Sequence, residues 1–173
     1  RRLVDVISKN VSMLIHDIVK AGKRPIIIGS GHNNAYGNIK WTSLALSKPI
    51  NAINFDAHTD YRILEGRHSG NGFSYAKEEG FLNKYFIIGL HENYIQETVH
   101  NAIEKDKDIA FNTYEGITVK KELSFKKALK QAKTHSCNSN FGLELDCDAI
   151  ENIDSSAQTP SGFYIAQTRQ IDQ

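Results

Sequence analysis

The chain has 173 residues, 40% of them hydrophobic and 24% charged, and a formal net charge of +1. That balance suits a globular domain with a real core and gives no general attraction to nucleic acid or to an anionic membrane surface. No apolar run is long enough to span a membrane, and Cys137 and Cys147 form no CxxC pair, which fits a reducing, cytoplasmic setting.

Leu3, Ile7, Val11, Leu14, Ile15 and Ile18 recur at helical spacing over residues 3–21, and Gly22 is a helix stop. Pro25-Ile26-Ile27-Ile28-Gly29 reads as a short central strand of a parallel sheet. The glycine-rich turn Gly29-Ser30-Gly31-His32 then leads into a helix over residues 34–47. A phosphate-binding reading of that turn is weak. The dinucleotide fingerprint needs glycine where Asn34 stands, and no Lys-Ser/Thr pair follows. The glycines instead let the backbone turn tightly and aim His32 above the sheet.

Ile50-Asn51-Ala52-Ile53 predicts the second strand, and Asp56, His58 and Asp60 follow it at i, i+2 and i+4. In extended backbone such residues leave one side together. Three titratable groups crowded in this way repel one another and lose hydration unless a cation lies among them. A polar strand-to-loop transition, with carboxylates capping the next element, is the alternative for this stretch alone.

Further strands are predicted over residues 84–90, 108–114 and 140–146, and helices over 73–79, 94–105 and 119–135. The lysines of that last helix (Lys126, Lys127, Lys130 and Lys133) have no aromatic interleaving and read as a solvated face. Asp146-Cys147-Asp148 closes the fifth strand with two more carboxylates on one side. A long loop over 149–162 precedes the start of a closing helix. Strands and helices alternate throughout, which predicts one α/β domain over residues 1–173: a three-layer α/β/α arrangement with a mainly parallel sheet. Ligands of such sheets bind beyond the carboxyl ends of the strands. His32, Asp56, His58, Asp60, Asp146 and Asp148 all fall there. Nitrogen and oxygen donors without a thiolate suit Mn²⁺, Mg²⁺ or Zn²⁺. Six are about right for two ions that share carboxylates and generate hydroxide for attack on an unreactive carbon or phosphorus centre.

Taken together, Gly29-x-Gly31-His32, Asp56-Ala57-His58-x-Asp60 and Asp146-x-Asp148 resemble the three metal-binding motifs of the ureohydrolase (arginase) superfamily, in the family's order and over nearly the whole chain. The resemblance implies an arginase/deacetylase-like fold and a hydrolase with two Mn²⁺ ions. By motif position, His32 binds one ion and His58 the other. Asp56 and Asp146 bridge, Asp148 completes the His58 ion, and Asp60 joins the His32 ion and holds the hydroxide as a catalytic residue.

Ala35-Tyr36-Gly37 after the histidine, Asp60-x-Arg62, and Ser69-Gly70-x-x-Phe73 are similar to formiminoglutamases. Arginases usually carry Asp just before that histidine, and a proton-shuttling His where Phe73 stands. His68 is the second catalytic candidate, by proximity and not by motif. Ser69 and Asn71 match the arginase residues that bind the substrate's α-carboxylate, and with Arg62 they form the implied substrate-binding set.

The expected substrate is a small amidine or guanidine, with formiminoglutamate first. Arginase, agmatinase or guanidino-acid hydrolase activity, or an inactive metal-binding homologue, are the alternatives. No nucleic-acid or membrane partner is expected, and a homo-oligomer is left open. The resemblance further implies strands beyond both ends, so the chain reads as a partial domain. In the family's order the final strand lies between the first and fifth strands read here, and its loop carries an acidic substrate contact.

Overall fold

The computed structural model describes residues 13–29, 31–155, 157 and 159–171. Residues 13–20 are helical and form the end of the predicted first helix, whose earlier part lies outside the described residues. The elements that follow are α1 (Asn34–Leu46), β1 (Ile50–Phe55), α2 (Gly72–Glu78), β2 (Leu82–Leu90), α3 (Glu97–Lys105), β3 (Ile109–Thr113), α4 (Tyr114–Thr118), α5 (Phe125–Ser136), β4 (Phe141–Leu145) and α6 (Ile165–Thr168). Single 3₁₀ turns at Ser69–Asn71, Glu92–Tyr94 and Cys147–Ala149 lie between them. The helix predicted over 119–135 forms only in its later part, as α5, while residues 119–124 are a turn and α4 precedes the predicted range. Ser124 caps α5 by accepting the Lys127 N–H. Among the described residues no helix is long and apolar enough to cross a membrane.

The sheet is parallel and four-stranded, in the order β3-β2-β1-β4. Every residue of β1 is buried, as expected for a strand with neighbours on both sides and cover on both faces. The strand predicted over residues 25–29 is not one. It joins no strand of the sheet, and Ile26 and Ile28 are 87% and 94% exposed. A β-branched run favours extended backbone, but a strand also needs a ladder partner. β4 is an edge strand whose Phe141, Leu143 and Leu145 are exposed.

The chain divides into two compact units, and the division crosses β1 and β2 near their first residues: Arg1–Asn51 with Asp60–Asn83, and Ala52–Thr59 with Lys84–Gln173. In the first unit α1 packs on α2 through a glycine. A Cβ on Gly72 would lie 3.3 Å from the Tyr36 backbone nitrogen and 3.6 Å from the Ala35 Cβ. The Tyr36 hydroxyl donates to the Glu79 carboxylate at 2.7 Å, and Lys40 Nζ reaches the same carboxylate at 2.9 Å.

In the second unit Ile53 and Phe55 of β1 and Phe86 and Ile88 of β2 pack against Ile117 of α4 and against Phe125, Ala128 and Ala132 of α5. Phe163 closes this core. Its ring centroid lies 5.0 Å from that of Phe55, 5.1 Å from Tyr114 and 5.2 Å from Phe125. Its backbone is pinned by bonds to Ala149 O and from Glu151 N–H. Room for the ring comes from Gly89. The β2–β3 register shifts between Ile88 and Leu90, and Gly89 takes φ +89° at this irregularity.

This arrangement predicts a contrast between two glycines. A Cβ on Gly89 would meet Phe163 Cε2 at 2.5 Å on left-handed backbone. Gly89→Ala should therefore cost roughly 2–4 kcal/mol. A Cβ on Gly142 meets nothing within 4 Å, so Gly142→Ala should be neutral or slightly stabilising. Chemical denaturation of both variants checks this, and equal midpoints would contradict the packing described.

Candidate functional site

In the second unit the candidate ligands are presented by the same local device, used twice. Asp56 and Asp146 are the first residues after β1 and β4. The ladder extends one step past each strand, with Asp56 N–H donating to Ile88 O at 3.1 Å and Asp146 N–H to Phe55 O at 2.9 Å. Each aspartate then turns the chain with its own side chain. Asp56 Oδ1 accepts the His58 N–H at 2.7 Å, and Asp146 Oδ1 accepts the Asp148 N–H at 3.1 Å. The predicted extended presentation of the trio is thus replaced by an Asx turn, which reaches the same end. The residue two positions on is folded back beside the aspartate that precedes it.

His58 Nδ1 lies 2.9 Å from Asp148 Oδ2 and 3.5 Å from Asp56 Oδ1. One donor atom from each of these three residues falls within 4.8 Å of the others, and Asp146 brings an oxygen within that distance of Asp56. Asp56 is fully buried and Asp148 nearly so. Asp148 is pushed above the usual carboxylate range by burial first, then by the charges of Asp56 and Asp146, against the opposing bond from His58. Hydrogen bonds to Asp148 and Asp56 raise His58 to about 10. Both shifts have one meaning: the cluster favours one more positive charge than its side chains supply. A proton on His58 Nδ1 stands where a cation bound by all three would displace it. The donor set, imidazole and carboxylate without thiolate, fits a hard or borderline divalent ion.

Sequence reading missed the support of Asp56. Asn54 Nδ2 donates to Asp56 Oδ2 at 2.8 Å and to the Tyr85 hydroxyl at 3.0 Å, and that hydroxyl donates to Thr59 O at 2.9 Å. Asn54 is buried in an apolar strand two positions before Asp56, and that polar residue at period two was the available signal.

In the first unit His32 Nδ1 lies 2.7 Å from Asp60 Oδ2. The start of α1 places His32, since its carbonyl accepts the Ala35 N–H at 3.0 Å. Buried Phe73 serves both residues: its ring meets that of His32 edge-on at 5.6 Å, and its N–H donates to Asp60 O at 3.3 Å. Asp60 has φ +43°, left-handed backbone that aspartate tolerates better than most residues.

The loop after Asp60 holds the other predicted residues. His68 Nδ1 accepts the Gly70 N–H at 3.1 Å, and its Nε2 lies 3.2 Å from Glu65 Oε1. Buried Asn71 gives its amide to Ile63 O and Gly66 O and accepts the His68 N–H. Arg62 pairs with Glu65 at 3.1 Å, on the surface, and Ser69 is exposed.

The fold is that of a parallel α/β protein whose strand ends deliver histidine and carboxylate donors able to hold a metal ion. The Arginase family model matches residues 2–162, and the chain belongs to the arginase family. It is 31% identical over 124 residues to a formimidoylglutamase of Streptococcus pyogenes serotype M3, a match covering 67% of this chain and 38% of that protein. A solved Trypanosoma cruzi formiminoglutamase with Mn²⁺ superposes with TM-score 0.81 at 17% identity, covering 96% of this chain and 57% of that one. An arginase of Bacillus cereus gives TM-score 0.77 at 18% identity, covering 97% and 63%. The chain thus spans well under half the length of the curated relative.

The raised His58 pKa sets a pH dependence with a definite sign. A group whose folded pKa lies above its unfolded value stabilises fully below the unfolded pKa and loses that contribution as pH rises through the folded one. With a chelator present, the melting-temperature gap between wild type and His58→Ala should be full below about 6.5 and should close towards about 10. A gap that widens with pH would refute the proton-holding cluster.

Proposed function

We propose that this chain is the metal-binding part of a hydrolase that cleaves a C–N bond in a linear amidine, with formiminoglutamate as the substrate. The observation that carries the reading is the Asp56–His58–Asp148 cluster, an excess of negative charge at the carboxyl ends of neighbouring parallel strands in an arginase-family chain. These three residues would hold one divalent ion. By motif position alone, His32 and Asp60 would hold a second ion, and Asp56 and Asp146 would contribute to both. Manganese is the preferred ion, in keeping with the Trypanosoma cruzi structure. When bound, such a pair of ions supplies Lewis acidity and an activated water.

The chain's own residues do the rest. Asp60 orients the attacking water and takes its proton. His68 is the relay candidate at the loop edge, with Glu65 beside its Nε2. The Phe73 ring offers no proton, which favours formiminoglutamate over arginine. Arg62, already paired to a carboxylate at the surface, can exchange Glu65 for the carboxylates of an acidic substrate, and exposed Ser69 adds a hydroxyl. Asn71 enters this set by holding the loop in shape.

Turnover of formiminoglutamate, arginine, agmatine and guanidinobutyrate by the complete protein with Mn²⁺ tests the reading. Formiminoglutamate should lead, and absence of turnover on all four with both ions bound would end it. Asp146→Asn should lose manganese and activity while the fold persists. Arg62→Ala should lower kcat/KM for formiminoglutamate about tenfold, the scale of one charge-assisted hydrogen bond, with metal content unchanged. A preference for agmatine, which has no carboxylate, would sink the acidic-substrate assignment.

A further inference from the structure

His58 is not held by carboxylates alone. Its imidazole stacks on the Tyr94 ring with centroids 5.0 Å apart and planes 8° from parallel. Tyr94 stacks in turn on His91 at 5.2 Å and 7°, and His91 on Tyr114 at 4.5 Å and 10°. Tyr114 meets Phe163 edge-on at 5.1 Å, inside the hydrophobic core. Four flat rings therefore run in one near-parallel column from the core to a candidate metal ligand. All of them belong to the second unit. The backbone ties the column to the ligand loop: His91 N–H donates to Ala57 O at 3.0 Å, and Tyr94 N–H to His91 O at 3.1 Å.

Two features say that this column does more than fill space. His91 is only 3% exposed, and its Nε2 is buried without a hydrogen-bond partner. An apolar ring would avoid that penalty. Second, the His58 side chain is about one-third exposed, so packing from above does not fix it. Its outer torsion is soft and roughly two-fold. A ring free to turn about that torsion would carry Nδ1 away from Asp148 and Asp56. A parallel ring against its face blocks the turn.

We propose that Tyr94, backed by His91, is a positioning residue that fixes the imidazole plane of His58 so that Nδ1 faces Asp56 and Asp148. The inference rests on the reading of His58 as a metal ligand. Groups that orient a metal ligand change affinity by about tenfold to a hundredfold when removed. The ion held by the His58 set should feel the loss, and the ion held by the His32 set should not.

Calorimetric titration of the full chain with Mn²⁺ distinguishes the outcomes. Wild type should bind two ions, and His58→Ala one. Tyr94→Leu should still bind two, one of them about tenfold more weakly. Tyr94→Phe, which keeps the ring, should match wild type. Tyr94 is half-buried in a surface turn, and Tyr94→Gln gives a second ring-free variant should the leucine chain fold poorly. In the metal-free protein the His58 ring protons should also lose the shielding of a stacked ring in both ring-free variants, as read by NMR. Unchanged affinities in Tyr94→Leu and Tyr94→Gln, with His58→Ala one ion short, would overturn the positioning role and leave the metal reading standing. A wild type that takes up no Mn²⁺, or a His58→Ala chain that keeps both ions, would overturn the metal reading and this inference with it.

Discussion

Mutual repulsion among Asp56, Asp146 and Asp148 is the constraint on which the rest of the structure depends. Asp56 and Asp148 are buried, and burial together with the charges of Asp56 and Asp146 holds the Asp148 carboxyl above its usual range. Asp56 and Asp146 extend the ladders of adjacent strands, so the sheet spacing sets their distance. Each also closes a turn with its own Oδ1, so neither can swing out without releasing a backbone N–H. The sheet thus holds like charges together, and a proton on His58 answers them in the metal-free chain. The same frustration makes the cluster a good receiver for a divalent cation.

The hydrophobic core serves this cluster directly. Phe163 is wedged against Phe55, the last residue of β1, and Asp56 follows without a break. The wedge is possible because Gly89 lacks a side chain at the β2 irregularity. Ile88, the neighbour of Gly89 in β2, accepts the Asp56 N–H at its carbonyl. Packing beneath the strand ends and charge above them are therefore held by the same few residues. A disturbance of the Phe163 seat would reach the ligands through one peptide bond.

The legible and illegible parts of the chain separate along physical lines. Donor residues were readable because local spacing at a strand end limits where a side chain can go, and Asp56, His58 and Asp148 do come together. The apolar runs of β1 and β2 were readable because burial on both faces leaves an almost continuous hydrophobic stretch. Pro25–Gly29 has the same composition and is not a strand, since pairing depends on a neighbour that composition does not encode. Tyr85 and Tyr94 were invisible as site residues for a related reason: each acts through a loop from a distant element, and nothing near them in the chain marks the contact. Asn71 stands where the resemblance implies a substrate contact, and its amide is also engaged by the backbone of its own loop, a competition that sequence spacing does not reveal.

The backbone of Asp60 carries a consequence for how this region tolerates change. A left-handed φ of +43° is free to glycine, tolerated by asparagine and aspartate, and more costly to nearly every other side chain. Of those three only aspartate is an acid. Conformation and chemistry therefore select the same residue independently, and alanine at this position would confuse the two by adding strain to the loss of a carboxylate. Asparagine alone removes the charge while keeping both the shape and the turn, so it is the informative replacement.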